Sequence, residues 1–450
     1  MVQSSTSAVN AFQAQSSAQK RALSYSNTIY QLFNRVFQQK LPADRVIAEY
    51  FRANKKHGSK DRRVIRESLF ALFRWWGWLN KVHTSGEQDE SWFAALATAA
   101  QLEQHSWNQF TEAWQAFANQ SNRYSMASSH NPLSTVKDKC DYVQQSFTGI
   151  TFTPQDLLPQ WFWDITDIAE SDAIPLIEAM SSRPPIWGRA QQCTAEQLSK
   201  QLQDEGIDAS TAEHFADTVN LGHKSINLNG TKAYLNGQLE IQDLGSQVIG
   251  QICGPKPADN WWDTCSGAGG KSLQLRSLML TQDAKAAGSI IASDIRKKPL
   301  EELLKRANRA GFNGISTAPW QGEALPVEAE TFDGVLVDAP CSCTGTWRRN
   351  PDMRWLDDAA VVNDKQALQL DILSRSAQAV KLNGQLVYAT CSLSPIENEH
   401  VVTQFLAEHS QFELQQTRHP FTGKTHKMLT VWPQEADTDG MFVAKMVRIK

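Results

Sequence analysis

Two hydrophobic periods divide the chain. In its first third, apolar residues recur three and four positions apart: Leu32, Phe33, Val36 and Phe37, then Val46, Ile47, Tyr50 and Phe51, then Val64, Ile65, Leu69, Leu72 and Phe73. That spacing predicts helices from about Ser24 to Arg74. Trp75, Trp76, Trp78, Trp92, Trp107 and Trp114 extend the pattern towards residue 130, and tryptophans so spaced read as core. The Ser and Asn cluster from Ser121 to Asn131 reads as a loop. Trp161, Trp163 and Arg183-Pro-Pro185 precede a region of mixed pattern, Trp187 to Gly237.

From Ile241 the pattern changes to short apolar runs bounded by Gly and Pro, with helical stretches between them. Trp261–Cys265 ends at the glycine turn Ser266-Gly-Ala-Gly-Gly-Lys-Ser272, which opens a helix through Leu280. Gly288–Asp294 reads as the next strand, followed by a helix from Lys298 to Ala310 and a short strand at Gly314–Thr317. Phe332–Val337 and Gln385–Ala389 are two more strands, and Met441–Ile449 reads as a late edge strand. Strands alternating with helices predict a parallel, Rossmann-like α/β sheet. Such sheets bind ligands beyond the carboxyl ends of their strands. Asp338-Ala-Pro-Cys-Ser-Cys-Thr-Gly345 and Thr390-Cys-Ser392 follow two of those ends, so Cys341 and Cys391 point to the working edge.

Composition narrows the class. At 450 residues the chain exceeds one domain, and 41% hydrophobic with 20% charged residues fits a globular protein. No stretch approaches the roughly 18 apolar residues of a membrane span. The first 19 residues carry no charge and lack the basic start and apolar middle of a secretory signal, so a floppy tail is expected. Seven cysteines without a CxxC pair predict reduced thiols in the cytoplasm.

A net charge of −4 argues against a uniformly basic nucleic-acid binder but leaves room for a local patch. Arg52, Lys55, Lys56, Lys60, Arg62, Arg63 and Arg66 face a single acid, Asp61, within fifteen residues. Such a run suits a phosphate backbone; a solvated helix face accounts for it equally simply.

The glycine turn sets backbone N–H groups and a helix N-terminus against a ligand. It is neither GxxxxGK[ST], since Ser266 stands where the first glycine belongs, nor GxGxxG. Asp294, ending the second strand, is placed to accept hydrogen bonds from a ribose diol, so an adenosine-type cofactor is expected; an ordinary turn and a capping Asp are the alternative. A thiolate at a strand end can attack an electron-poor ring carbon such as C6 of cytosine, which makes C5 able to take a methyl group from a sulfonium donor. Asp338 can hold the base through N3 or the exocyclic amine, and Cys341 can assist loss of the C5 proton or release of the enzyme. Two small buried hydrophobes are the plain alternative for the cysteines.

Asp338–Gly345, Arg349-Asn-Pro-Asp-Met-Arg-Trp355, Gln369–Arg375, Val387-Tyr-Ala-Thr-Cys-Ser392 and Glu397-Asn-Glu399, with Gln242-Asp243, Ser246 and Asp263–Lys271, resemble the Sun (Fmu) family of RNA cytosine-C5 methyltransferases. The resemblance covers about residues 155–450. Residues 25–125, notably Ser59-Lys-Asp-Arg-Arg63 and Leu72-Phe-Arg74, are similar to the helical NusB-like RNA-binding domain of the bacterial ribosomal members. The resemblance implies a tail at 1–22, a NusB-like domain at 23–150, a linking RNA-binding subdomain at 151–237 and a class I methyltransferase domain at 238–450. It implies Cys391 as nucleophile, Cys341 as the thiol for product release and Asp338 as the base-holding acid. Cys265, Ser266, Gly267, Ala268, Gly269, Gly270 and Lys271, with Asp294, Trp320 and Asp338, form the implied S-adenosylmethionine site, and no metal is implied. The implied partner is 16S ribosomal RNA bound by a cytoplasmic monomer; transfer RNA, or an assembly factor with weak catalysis, are the alternatives. DNA enzymes of this chemistry use the Pro-Cys thiol, so the roles of Cys341 and Cys391 are the assignment to test.

The chain departs from the family pattern at three places. Gly267-Ala268 replaces the usual Ala-Pro, Cys343 stands for the usual Gly, and Pro319-Trp320-Gln321 occupies the place of an acid beside the adenine. Trp320 is expected to stack on the adenine or wall it off.

Overall fold

The structure is a computed structural model that describes residues 12–120, 124 and 133–450. The described chain divides into two compact units. The first runs to Asp164 and adds Ile168–Ser182 and Trp347–Asp358; the second holds Ile165–Asp167, Arg183–Thr346 and Ala359–Lys450. The stretch 151–237 therefore contributes to both units, changing over after Ser182. The expected loop at Ser121–Asn131 and the start of the tail fall largely outside the described residues.

The first unit is helical: α1 (Ser17–Gln39), α2 (Ala43–Ala53), α3 (Ser59–Val82), α4 (Glu90–Leu102), α5 (Asn108–Ala118), α6 (Val136–Ser146), α7 (Gln160–Ile165) and α8 (Glu170–Met180). α1 starts inside the stretch expected to be a tail, because the Ser16 hydroxyl caps it by accepting the Gln19 N–H at 3.1 Å. The tryptophans are core, as their spacing predicts: Trp75, Trp78, Trp92 and Trp114 are fully buried. Each indole N–H finds an acceptor, such as the Thr153 carbonyl for Trp78 at 2.7 Å and the Ala22 carbonyl for Trp114 at 2.9 Å. Gly77 on α3 lets the chain at Asp156 approach; a Cβ there would meet its carbonyl oxygen at 1.8 Å.

Trp347–Asp358 belongs to this helical unit although it follows the Asp338–Gly345 motif in sequence. Arg354, with no exposed surface, donates to the carbonyls of Arg74, Leu157, Met180 and Trp347. Trp355 donates to the Phe73 carbonyl at 2.7 Å, and Asp352 accepts the first N–H of α2 from Ala43 at 2.7 Å. The Arg349–Trp355 motif is thus a structural strap of the first unit.

The second unit begins with β1 (Trp187–Ala190), α9 (Ala195–Asp204), β2 (Ser210–Thr211), β3 (Thr218–Asn220), α10 (Lys232–Leu235) and β4 (Leu239–Ile241). The strands form an antiparallel sheet in the order β2-β3-β1-β4, which the mixed pattern of residues 187–237 hid. There follow α11 (Leu244–Cys253), β5 (Asn260–Asp263), α12 (Gly270–Gln282), β6 (Ser289–Ala292), α13 (Lys297–Arg309), β7 (Ile315–Thr317), β8 (Phe332–Asp338), α14 (Ala359–Ala377), β9 (Val380–Thr390) and α15 (Glu399–Glu408). The chain closes with β10 (Phe412–Leu414), β11 (Thr417–Arg418), β12 (Thr425–His426), β13 (Met428–Val431), α16 (Pro433–Ala436) and β14 (Met441–Arg448).

The main sheet runs β10-β14-β9-β8-β5-β6-β7, with β13 also on β14. β9, β8, β5, β6 and β7 are parallel, and β14 is antiparallel to β9. The expected Rossmann-like alternation is present. One face packs Val335, Val337 and Tyr388 against Leu373, Val402 and Phe405 from α14 and α15. The other packs Trp261, Leu336 and Val387 against Val248, Ile249, Leu275 and Met279 from α11 and α12. Burial on both faces explains why these strands read as continuous apolar runs. β14 is not the edge strand that its position in the chain suggested. β10 and β13 pair with its outer side, and strands of three and four residues leave too little periodicity to read.

Candidate active site

Parallel pairing brings the carboxyl ends of β5, β6, β8 and β9 to one edge of the sheet. β5 ends on Asp263, and the chain turns through Cys265–Lys271 into α12. Gly267 and Gly269 have φ of +55° and +84°, the left-handed region that glycine enters without strain. A Cβ at Gly269 would also lie 2.3 Å from Leu303 Cγ, so α13 packs on the turn because no side chain stands there. At Gly267 nothing lies within 4 Å of that direction, which leaves open space beside the turn. The Ser266 N–H donates to the Ser293 carbonyl at 2.8 Å, and Arg306 donates to the Ala268 carbonyl. Gly270 opens α12, and Cys265 is half-buried with its thiol pushed up to about 12 by burial.

Asp263 is fully buried. One carboxylate oxygen accepts the Ser272 hydroxyl at 2.6 Å; the other is buried without a hydrogen-bond partner among the described residues. Burial pushes this carboxyl up to about 7. Sequence reasoning passed over Asp263 as a site residue; the signal was an acid closing a Trp-Trp strand just before a glycine turn.

Asp294 lies just beyond β6. Its Oδ2 accepts the Gly267 N–H at 3.1 Å, which ties the second acid to the turn. Arg296 folds back onto the same carboxylate, through its N–H at 2.8 Å and through guanidinium contacts of 3.0 Å to each oxygen. Burial pushes Asp294 up, but the hydrogen bonds from Arg296 outweigh it and hold the carboxyl below its usual range. A ribose diol at Asp294 would therefore meet a carboxylate already engaged by a side chain that is itself 67% exposed. Trp320 packs into the same face as Trp262, with ring centroids 5.3 Å apart, and the Arg375 guanidinium lies over its ring at 4.6 Å.

The acid and the thiols do come together. Asp338 closes β8 opposite Ala389 of β9, so the loops leaving these adjacent strands emerge side by side. Lys271 reaches across from α12 to place Nζ 2.7 Å from Asp338 Oδ2. Burial pushes the Asp338 carboxyl up against the pull of Lys271. Burial alone would lower Lys271, and the Asp338 charge outweighs it, so that lysine stays cationic. The Sγ atoms of Cys341 and Cys391 are 3.3 Å apart. The Cys341 hydrogen bond draws the Cys391 thiol down, but Cys343 and burial outweigh it and push the thiol up to about 12. Cys341 is raised well above an ordinary thiol by its contacts with Cys343 and Cys391.

Behind the thiols lies a second buried acid that sequence reasoning did not single out. Glu397, with no exposed surface, accepts the Ser342 N–H at 2.8 Å, the Ser342 and Ser392 hydroxyls at 2.5 Å each and the Gln369 amide at 3.0 Å. Ser342 adjoins Cys341 and Ser392 adjoins Cys391, so one carboxylate braces both cysteine loops. Asn398 adds a brace by accepting the Thr390 hydroxyl at 2.6 Å and donating to the Ser392 carbonyl at 2.9 Å. The Glu-Asn-Glu motif was visible, but its inward direction was not.

The basic run lies in the first unit, on α2, the turn after it and the start of α3. All seven of Arg52, Lys55, Lys56, Lys60, Arg62, Arg63 and Arg66 are exposed. Arg63 pairs with Glu67 at 3.0 Å and Arg66 with Asp44 at 2.6 Å, and Arg62 donates to the His57 carbonyl at 2.9 Å. Lys55, Lys56 and Lys60 make no ion pair among the described residues.

The family model described as 16S rRNA methyltransferase RsmB/F matches residues 251–447. A probable ribosomal RNA small subunit methyltransferase B of Bacillus subtilis is 31% identical over 311 residues, covering 66% of this chain and 66% of that protein, just under two thirds of its length. The solved structure of PH0851 superposes with a TM-score of 0.71 at 22% identity, covering 96% of this chain and 99% of that one. A methyltransferase homolog from Pyrococcus horikoshii gives 0.53 at 25% identity, covering 64% and 93%. With the cysteine loops of β8 and β9 and the glycine turn of β5 on one edge of such a sheet, the chain is similar over its second unit to the RsmB/F family, the Sun (Fmu) family that its motifs resemble.

Proposed function

We propose that this protein transfers a methyl group from S-adenosylmethionine to C5 of a cytosine in RNA, with 16S ribosomal RNA as the substrate. The observation that carries the proposal is the pair of thiols 3.3 Å apart beside the Asp338–Lys271 pair. The match to the family model and the names of the relatives support it.

The residues at the glycine turn suit the cofactor. Open space flanks Gly267, and a buried carboxylate oxygen of Asp263 has no side-chain partner among the described residues, which suits a cationic donor. Residues 265–271 would hold it, with Asp294 towards a ribose once Arg296 shares or yields that carboxylate. Bound there, the cofactor supplies an electrophilic methyl group on a sulfonium.

Cys391 is the nucleophile on this proposal. Its thiol gives its proton to solvent and its sulfur bonds to C6 of the unstacked base, which leaves C5 electron-rich. Asp338, tied to Lys271, holds the base through N3 or the exocyclic amine and offsets charge as it develops on the ring. Lys271 fixes the Asp338 carboxyl and stays cationic beside the thiols. After methylation Cys341 takes the C5 proton or hands on the proton that frees the enzyme; the C6–S bond breaks and the aromatic ring returns. Glu397 keeps the two loops in register. The helical unit, with its Arg52–Arg66 surface, grips phosphates, and the protein works as a monomer in the cytoplasm. Among the described residues no helix is long and apolar enough to cross a membrane.

Purified protein incubated with tritium-labelled S-adenosylmethionine and unmodified 16S ribosomal RNA, with transfer RNA in parallel, tests this. Label recovered as 5-methylcytosine in ribosomal RNA is expected. Label in transfer RNA alone would move the substrate, and no label with RNA binding retained would favour an assembly factor.

A further inference from the structure

The proposed chemistry uses two thiols, and the site holds three. The Sγ atoms of Cys341, Cys343 and Cys391 all lie within 4.8 Å of one another, and all three residues are only partly buried. Cys343 sits at φ +59°, a left-handed conformation uncommon for a residue with a Cβ. In that conformation its sulfur sits 3.5 Å from the Cys341 carbonyl oxygen. The local backbone thus delivers a third sulfur to the catalytic pair at some conformational cost.

Three sulfurs at this separation match a known coordination need. Zinc–thiolate bonds are about 2.3 Å, and tetrahedral angles put the sulfurs about 3.8 Å apart. The Cys341–Cys391 separation of 3.3 Å and the 4.8 Å limit of the cluster bracket that value. Side-chain rotations of well under an ångström per sulfur would close the set. A divalent cation with three thiolates carries a net charge of −1, which is smaller than that of three free thiolates in the same place.

We propose that Cys341, Cys343 and Cys391 form a three-thiolate site for a thiophilic divalent cation of the zinc class, and that a cation there silences the enzyme. Binding replaces three S–H bonds with three S–metal bonds and releases three protons to solvent; no oxidant or reductant takes part. Water completes the fourth position. The silencing half rests on Cys391 being the nucleophile, whereas the binding half stands without it.

Cadmium is the probe, because its thiolate complexes absorb in the ultraviolet. Full-length protein, reduced and freed of metal by chelation, is titrated with cadmium and then competed with zinc. One equivalent should bind with a charge-transfer band that zinc abolishes. Cys343→Gly, which suits φ +59°, should keep its fold but bind cadmium at least tenfold more weakly; Cys193→Ser should bind as the native chain does and keep its methyl transfer. Zinc should inhibit methyl transfer by the native protein at concentrations at least tenfold lower than are needed for Cys343→Gly. Equal cadmium affinity of the native and Cys343→Gly proteins, or no thiolate band in the native chain, would overturn the site. Cadmium binding by a protein that methylates no RNA would leave the site standing and remove the proposed function instead.

Discussion

Cys341 and Cys391 stand 50 positions apart in the chain, yet their sulfur atoms are 3.3 Å apart. The reason is the parallel pairing of β8 with β9, which sets Asp338 opposite Ala389 and sends both loops out at the same edge. Their proximity makes the division of labour between them testable. Cys391→Ala should lower methyl transfer by at least about a thousandfold, as expected for loss of a nucleophile. Cys341→Ala should instead accumulate a protein–RNA adduct that survives denaturing electrophoresis. If Cys391→Ala traps the adduct and Cys341→Ala cannot form it, the two roles are exchanged.

Glu397 carries a prediction of its own. Its removal leaves the buried Ser342 N–H without its acceptor and the Gln369 amide with only the Pro340 carbonyl. Glu397→Ala should cost about 2–4 kcal/mol in denaturant unfolding. It should also slow adduct formation in the Cys341→Ala background, because both loops lose their common brace. Glu397→Gln, which still accepts one hydrogen bond, should recover part of that rate. An unchanged rate in Glu397→Ala would show that the loops hold themselves.

Asp263 should shape the pH dependence of stability. Its folded carboxyl is pushed up to about 7 by burial, above the ordinary value near 4 of an unfolded chain. The folded state therefore binds more protons between those limits, and this residue makes stability fall as pH rises from about 4 to 7. Asp263→Asn keeps an acceptor for Ser272 and abolishes the titration. Relative to the native protein its stability should rise across that window by up to about 4 kcal/mol, from 1.36 kcal/mol per unit. Parallel stability–pH curves for the two proteins would count against a buried, raised carboxyl.

The basic surface should reveal itself in salt dependence. Replacing Lys55, Lys56 and Lys60 by Ala should weaken RNA binding and reduce the slope of log affinity against log salt by about 0.7–0.9 for each phosphate that is no longer neutralised. Arg66→Ala should do less, since Arg66 already pairs with Asp44 at 2.6 Å. A slope that stays the same in the triple variant would mark the run as a solvated face.

Much of this protein was legible in the order of its residues. Continuous apolar runs reveal strands wherever a sheet is buried on both faces, and those around Val335 and Val387 are so buried. Glycines 267 and 269 announced a turn because only glycine enters their conformations cheaply. The motifs around Cys341 and Cys391 pointed to a chemistry through their resemblance to a family, since cysteines near strand ends are by themselves as readily small buried hydrophobes. Tertiary structure decided the rest. Trp347–Asp358 sits in the helical unit because Arg354 satisfies carbonyls contributed by distant segments, and no local period encodes that. β14 became an interior strand because three- and four-residue partners, too short to show a period, pair with it. Asp263 and Glu397 became buried acids, and Arg296 covered Asp294, through the direction in which side chains point once helices pack on the sheet. Local sequence encodes backbone preference and the face of an element; which distant groups meet across a core is decided only when the elements close on one another.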